Sequence, residues 1–267
     1  MVTVDRSGAY PIARVRVGKG RQALINFSDL HVGHPNYRED VLNMGIRWAL
    51  DNNALCICGG DWMENATKHS IGAGVVEQVM PPQRQIDYLV EKFAPLRGRF
   101  IGGYTGNHED RTYKETGLNP MTMIAAALDI PVFPVEMFAV ISSSDAHKHT
   151  TNYTLYAVHS DSAHKDSGMA IHKVQGDWAW VHADIKMKSH DHQLGFNWSD
   201  TLEVNTTGPA SVVQKKEYVV LTGSCLERAG SYAAKKPNRP GTLGMMGLWL
   251  DMNRQARSVR PEYLMEG

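Results

Sequence analysis

The chain has 267 residues, 42% of them hydrophobic, with Lys+Arg and Asp+Glu both at 28 and a formal net charge of zero. That composition suits a globular protein with a sizeable core, and it lacks the excess of base that marks an extended nucleic-acid partner. Three cysteines suit a reducing compartment, no apolar run approaches the ~20 residues of a membrane span, and Met1–Arg6 has no secretory pattern, so a cytoplasmic protein without a membrane partner is expected.

The apolar pattern predicts strands at Ala13–Val17 and Ala23–Phe27, the second ending at Ser28-Asp29. From Asn36 to Leu50, apolar residues near helical spacing (Val41, Leu42, Ile46, Trp48, Ala49, Leu50) predict a helix. Leu55–Cys58 reads as a buried strand stopped by Gly59-Gly60. Its two cysteines share a strand face, which favours small core residues over a disulfide. Residues 83–96 follow Pro81-Pro82 and read as a helix with Ile86, Leu89, Val90 and Phe93 inward. Arg99–Tyr104 is the next strand, running into Gly106-Asn107-His108, and Met121–Leu128 is a short helix. This alternation favours a parallel layer with helical crossovers.

The second half is richer in strands. Met137–Ile141, Thr154–Val158, Tyr218–Thr222 and Leu248–Met252 are strand candidates, with one helix at Met169–Ala183, so a second, mixed sheet is expected. Lys235–Gly241 is a polar, proline-containing loop. Nothing resembles a repeat or a linker, which gives a single domain over residues 1–267.

Five polar segments stand at the ends of strand-like runs or before turns: Asp29-Leu30-His31, Gly60-Asp61, Gly106-Asn107-His108-Glu109, Val158-His159-Ser160 and Ser189-His190-Asp191-His192. In open α/β sheets the carboxyl ends of strands are where ligands bind. Asp29 and His31, two apart, can face one ion. A carboxylate after two glycines can approach closely and bridge two cations, which is the role expected of Asp61. Asn107 offers an amide oxygen, and His159, His190 and His192 offer imidazole nitrogens. This mixed donor set suits zinc, manganese or iron better than calcium or magnesium. Two such divalent ions make hydroxide at neutral pH and clamp a phosphoryl group.

In order and residue type these motifs resemble the calcineurin-like metallophosphoesterases. The signature of that family is Asp-x-His, Gly-Asp, Gly-Asn-His-Asp/Glu, a lone His and Gly-His-x-His, and the resemblance spans residues 28–192. It implies an α/β fold, a four-layer α-β-β-α sandwich of two mixed sheets flanked by helices, with a dinuclear centre. By motif match the first ion takes Asp29, His31, Asp61 and His192, and the second takes Asp61, Asn107, His159 and His190. His108 is then the catalytic histidine beside the leaving group. Two positions depart from the pattern: Ser189 stands where glycine is usual, and Ser160 follows the lone histidine. Gly60–Asn65 lacks the Asp-Arg-Gly of protein Ser/Thr phosphatases, and Glu64 stands where purple acid phosphatases place a tyrosine. With His69–Gly72, Glu77-Gln78 and Gly106–Arg111, the run looks like metallophosphoesterases of phage and bacterial genomes, some labelled DNA-repair exonuclease-like.

The expected function is therefore that of a phosphodiesterase on a small or nucleotide-like substrate. A hydroxide bridging the ions would attack phosphorus in line, and His108 would protonate or orient the leaving oxygen. Arg111, three residues on, matches the geometry of a phosphate oxygen but equally that of an ordinary ion pair. Alternatives are a phosphomonoesterase, a DNA exonuclease, which needs a basic groove, and an inert scaffold, which would have broken ligands. His34 and His69 follow motif loops and are candidates to line the substrate pocket; Trp62 and Asn65, right after Asp61, are expected near the cleft by sequence proximity, Asn65 as a substrate-binding candidate. His147 and His149 read as a solvated loop or a stray metal site. Trp178 and Trp180 read as helix core. The oligomeric state is open.

Overall fold

The computed structural model describes residues 2–68, 70, 74–144, 150–161, 164, 166–205, 210–227, 242–253, 255, 257 and 258–265. An antiparallel pair, β1 (Val2–Asp5) and β2 (Ile12–Arg16), opens the chain. Then come β3 (Arg21–Phe27), α1 (Glu39–Asp51), β4 (Leu55–Cys58), α2 (Pro82–Phe93) and β5 (Phe100–Tyr104). Helices α3 (Asn107–Thr116) and α4 (Pro120–Leu128) precede a short β6 (Val132–Phe133). The second half holds β7 (Glu136–Ser144), β8 (Thr150–His159), α5 (Ser167–Asp177), β9 (Ile185–Ser189), β10 (Leu194–Asn205), β11 (Ser211–Ser224), β12 (Gly244–Asp251) and β13 (Val259–Leu264).

Strands β3, β4, β5 and β6 run parallel side by side, as the alternation with helices predicts, and β12 and β13 extend them antiparallel. The other strands follow the order β1-β2-β7-β8-β9-β11, with β10 on β11. These two sets were expected as separate sheets; instead one hydrogen-bonded path joins them into a curled mixed sheet. The join is where Gly223 and Ser224 of β11 pair with Met245 and Gly244 of β12. Gly223 sits at φ 88°, and a Cβ there would lie 2.2 Å from the Gly244 carbonyl oxygen, so the two backbones meet because residue 223 is glycine.

Strand alternation sends successive side chains to opposite faces. Leu24, Ile57, Ile101, Leu248 and Leu250 therefore pack inward against Val15, Ile141, Leu155, Ile185 and Val220, filling the space between the two halves of the path. Their neighbours Ile25, Phe27, Cys56 and Cys58 face the other way, onto Val41 and Leu42 of α1, Leu89 and Phe93 of α2 and Ile124 of α4. All three cysteines are buried and free.

Three elements differ from expectation. Helix α5 stops at Asp177, and the two tryptophans beyond it both pack edge-on against Tyr156, Trp178 at 5.2 Å and Trp180 at 6.1 Å, but Trp180 is 66% exposed rather than core. Strand β9 hides two buried lysines. Lys186 Nζ donates to the Trp178 carbonyl at 2.8 Å and meets Glu217 at 2.9 Å, and Lys188 pairs with Asp191. Helix α3 begins within the Gly106-Asn107-His108-Glu109 motif itself. His69, His147, His149 and the Lys235–Gly241 loop lie outside the described residues.

Candidate metal centre

The C-terminal ends of β3, β4, β5, β8 and β9 deliver the motif residues to one place. Asp29 and His31 follow β3, Asp61 follows β4, and Asn107 and His108 open α3 after β5. His159 ends β8, and His190 and His192 follow β9. The turns that aim them are strained. Asp29 (φ 52°), His31 (53°), Asp61 (51°), His190 (89°) and His192 (54°) all adopt the left-handed region, as does Asn65 (44°). Such backbone costs on the order of 1–3 kcal/mol per residue and persists only where surrounding contacts hold it.

Those contacts are visible. Backbone N–H groups of Asp29, Leu30 and His31 donate to the carbonyls of Gly60 and Asp61 at 2.8–3.1 Å, locking the first loop to the second. The buried Glu109 carboxylate accepts from the N–H groups of Asp61 (2.9 Å), Met63 (3.0 Å) and Gly106 (3.1 Å), locking the second loop to the third. Gly106 has to be glycine: a Cβ there would lie 2.2 Å from Asp61 Oδ1. The His190 N–H donates to both Asp29 oxygens at 3.1 Å and ties in the last loop. Ser189, the departure from glycine, is accommodated: its Oγ accepts from Thr222 Oγ1 at 3.3 Å.

Three groups of donor atoms result among the described residues: Asp29 with His31 and His192, Asp61 with His159 and His190, and His31 with Glu64 and His108. In the first, His31 Nε2 and His192 Nε2 face each other at 3.1 Å, and Asp29 Oδ1 is 3.5 Å from His192 Nε2. In the second, His159 Nε2 lies 3.2 Å from Asp61 Oδ2, 3.3 Å from His190 Nδ1 and 3.2 Å from Asn107 Oδ1. Donor atoms bound at ~2.0–2.2 Å to one cation sit about 3 Å apart, the spacing seen here. Asp61 Oδ2 is fully buried and has no hydrogen-bond partner. Its nearest polar neighbour is His159 Nε2 at 3.2 Å, so a buried carboxylate, imidazole nitrogens and an amide oxygen converge on one place, a donor set that fits a metal.

Electrostatics agree. Burial opposes charge on Asp61, yet the adjoining His159 and His108 hold it well below the usual carboxylate range. Burial also depresses His159, but the Asp61 carboxylate overrides it and pushes the imidazole up to about 10. His192 is held well below its ordinary value by burial and by the neighbouring His31.

His108 is placed differently. Its Nδ1 lies 2.7 Å from the Glu64 carbonyl, which can only accept, so the proton sits on Nδ1. Its Nε2 accepts from Arg111 Nη2 at 2.8 Å and looks toward Asp61 Oδ2 at 3.8 Å. Burial drives His108 down to about 3 despite the charges of Asp61 and Glu64.

Glu64 and Glu109 were assigned no role from the sequence. Glu64 Oε2 is 3.2 Å from His31 Nδ1, a carboxylate–histidine pair that turns the opposite nitrogen, Nε2, toward the metal position. Glu109 carries one readable signal, a glutamate at the third position of a helix, which reaches back to the preceding backbone. Two expected pocket residues are corrected. The Asn65 side chain is fully buried and occupied, donating to the His108 carbonyl at 2.6 Å and accepting from Thr112 at 2.9 Å, so it braces the loop instead of meeting substrate. Trp62 turns away from the cleft: it stacks on Phe93 at 4.1 Å and donates to the Phe27 carbonyl. His34 is buried at the margin of the centre, with Nδ1 accepting from the Asn36 N–H at 3.0 Å.

No protein-family model and no curated protein matches the chain. Solved structures do. The likeness is to calcineurin-like phosphoesterases. One is YfkN of Bacillus subtilis, 11% identical over 92% of this chain and 91% of that one, with a TM-score of 0.41. A metallophosphoesterase of Sphaerobacter thermophilus is 11% identical over 92% and 90%, with a TM-score of 0.41. Vps29 of Entamoeba histolytica, solved with zinc, is 14% identical over 91% and 98%, with a TM-score of 0.36. At these identities and scores the chemistry has to be argued from the side chains. No helix among the described residues is long and apolar enough to cross a membrane.

Proposed function

We propose that the chain is a metal-dependent phosphoric ester hydrolase of the calcineurin-like metallophosphoesterase type, acting on diesters of small or nucleotide-like substrates. The observation that carries this reading is the buried Asp61 carboxylate set among converging imidazoles, with an Oδ2 that receives no well-aligned hydrogen bond. On the same reading the two halves of the curled sheet, with helices outside them, form a four-layer α-β-β-α arrangement. One divalent ion (manganese, zinc or iron) would be held by Asp29, His31, Asp61 and His192. A second would be held by Asp61, Asn107, His159 and His190. Bound ions of this kind supply Lewis acidity to a phosphoryl group and activate water at neutral pH.

The chain's own residues do the rest. Glu64 fixes the ring of His31, and Glu109 fixes the loops that carry Asp61 and Asn107. The Glu64 carbonyl accepts a hydrogen bond from His108 Nδ1–H, which leaves Nε2 as the nitrogen that would take up a proton and pass it to the leaving oxygen. Arg111 Nη2, now on that nitrogen, is placed to move onto a non-bridging phosphoryl oxygen. Zero net charge supports a small substrate over a polyanion.

The test is hydrolysis after reconstitution with each metal, across bis(p-nitrophenyl) phosphate, p-nitrophenyl phosphate, 2′,3′- and 3′,5′-cyclic nucleotides, and single- and double-stranded DNA. Turnover of diesters and cyclic nucleotides that is lost in Asp61→Asn supports the reading. Turnover of DNA alone replaces it with a nuclease. No turnover by fully metallated protein overturns it.

A further inference from the structure

Strands β10 and β11 form a ribbon with a continuous register from Leu194↔Thr222 to Asn205↔Ser211. Strand β9 supports only Tyr218–Leu221 of it. Beyond Tyr218 the ribbon overhangs the sheet as two strands with no third strand among the described residues. A lone two-stranded ribbon is marginal in water and gains stability from a third strand or a covered apolar face. This one carries exposed apolar side chains on one face, where Lys216 reaches over the Trp198 ring at 5.9 Å. Trp198, Leu202 and Val204 alternate to one side of β10 and share that side with Val212, the cross-strand partner of Val204; the Asp200–Lys216 pair stands on the same side between Trp198 and Leu202. They are 53%, 76%, 68% and 63% exposed.

The outer edge of β10 is equally open. Among the described residues β10 pairs with β11 alone, its register shows no bulge, and Leu194–Asn205 contains no proline or lysine. Bulge, proline and lysine are three of the devices with which natural edges refuse a partner; of the charged residues that also serve, β10 has Asp200 and Glu203 alone. Charge decides which partner fits. The acids of β10 are already neutralised within the ribbon, Asp200 by Lys216 at 3.0 Å and Glu203 by Lys215, which leaves neither a basic face for an anionic surface nor an acidic one for a cationic partner. A second β10, laid antiparallel about Thr201 or about Leu202, sets no charge opposite a like charge. The first register faces Ser199 with Glu203 and Trp198 with Val204; the second faces Asp200 with Val204 and Leu202 with itself. Either makes a four-stranded sheet that brings Leu202 and Val204 of the two copies onto one face, beside the internally neutralised Asp200–Lys216 pairs.

We infer that the β10 edge pairs with the β10 edge of a second copy of this chain, making a twofold dimer through the overhanging ribbon. The experiment uses the full chain. Sedimentation across a dilution series gives a concentration-dependent dimer for the wild type. The double variant Leu202→Lys/Val204→Lys, altered only at exposed positions, weakens the dimer by about tenfold or more. Leu202→Cys cross-links to a covalent dimer on oxidation, whereas Val135→Cys, an exposed site far from the ribbon in sequence, does not; the native cysteines are buried and stay silent. A wild type that remains monomeric at every concentration, or a double-lysine variant that dimerises as before, overturns the inference. A monomer that floats with phosphatidylglycerol-containing vesicles, and no longer does so in the double-lysine variant, assigns the face to a lipid surface instead. Neither readout depends on hydrolysis.

Discussion

Arg111 donates from Nη2 to His108 Nε2 across 2.8 Å, so the nitrogen that looks toward Asp61 Oδ2 is engaged by a guanidinium. The same arginine shares the Glu64 carbonyl with His108, at 3.1 Å from Nη1 and 2.7 Å from Nδ1. His108 is thereby held neutral, with one tautomer and one orientation.

His108→Asn is expected to lower kcat by about 10²–10⁴ on a diester with a poor leaving group, such as a cyclic nucleotide, and by far less on a p-nitrophenyl ester. A good leaving group hardly needs the proton. Equal losses on both substrates would show that His108 acts by holding the loop and not at the leaving oxygen.

Arg111→Gln removes a nearby cation that disfavours protonation. NMR titration of the metal-free wild type should find His108 uncharged until the pH nears about 3, and the variant should protonate at a higher pH. Coincident titrations would contradict the contact.

Metal binding should release protons. In the metal-free chain His159 titrates near 10, because Asp61 stabilises its imidazolium, and a cation has to displace that proton. Apparent metal affinity, followed by competition with a chromogenic chelator, should rise with pH up to that point. Stability of the metal-free chain should fall on both sides of neutrality. The folded pKa of His159 is raised, so its contribution is complete below about 6.5 and is lost as pH climbs through about 10. That of His108 is lowered, so its contribution is complete above about 6.5 and is lost as pH drops toward about 3. Thermal unfolding without metal across this range checks both signs.

Glu109→Ala strands three backbone N–H groups inside the protein. A loss of about 3–5 kcal/mol in urea unfolding is expected, with weaker metal binding because the loops of Asp61 and Asn107 separate. Glu109→Gln keeps an acceptor and should retain part of the stability. A fully stable Glu109→Ala protein would remove Glu109 from this account.

Much of the fold was legible because its strands end where its chemistry begins. Apolar runs such as Ala23–Phe27 and Leu55–Cys58 break at Asp29 and Asp61, and the parallel order of β3, β4 and β5 follows from the helices between them. What was hidden depends on tertiary neighbours. Strand β9 escaped notice because Lys186 and Lys188 interrupt its apolar pattern; they are buried only because Glu217, the Trp178 carbonyl and Asp191 receive them. Glu64 and Glu109 look like surface acids until the folded chain sets them against His31 and against three N–H donors. Trp62 misled for a simpler reason: adjacency to Asp61 does not say which side of the backbone a ring takes, and Phe93 was there to stack on it.

The most direct measurement is metal content per folded chain, by mass spectrometry after reconstitution with manganese or zinc and removal of excess ion. About two ions per chain are expected for the wild type and one or none for Asp61→Asn, with unchanged circular dichroism. Fewer than one ion per folded wild-type chain would contradict the metal centre and the hydrolase built on it.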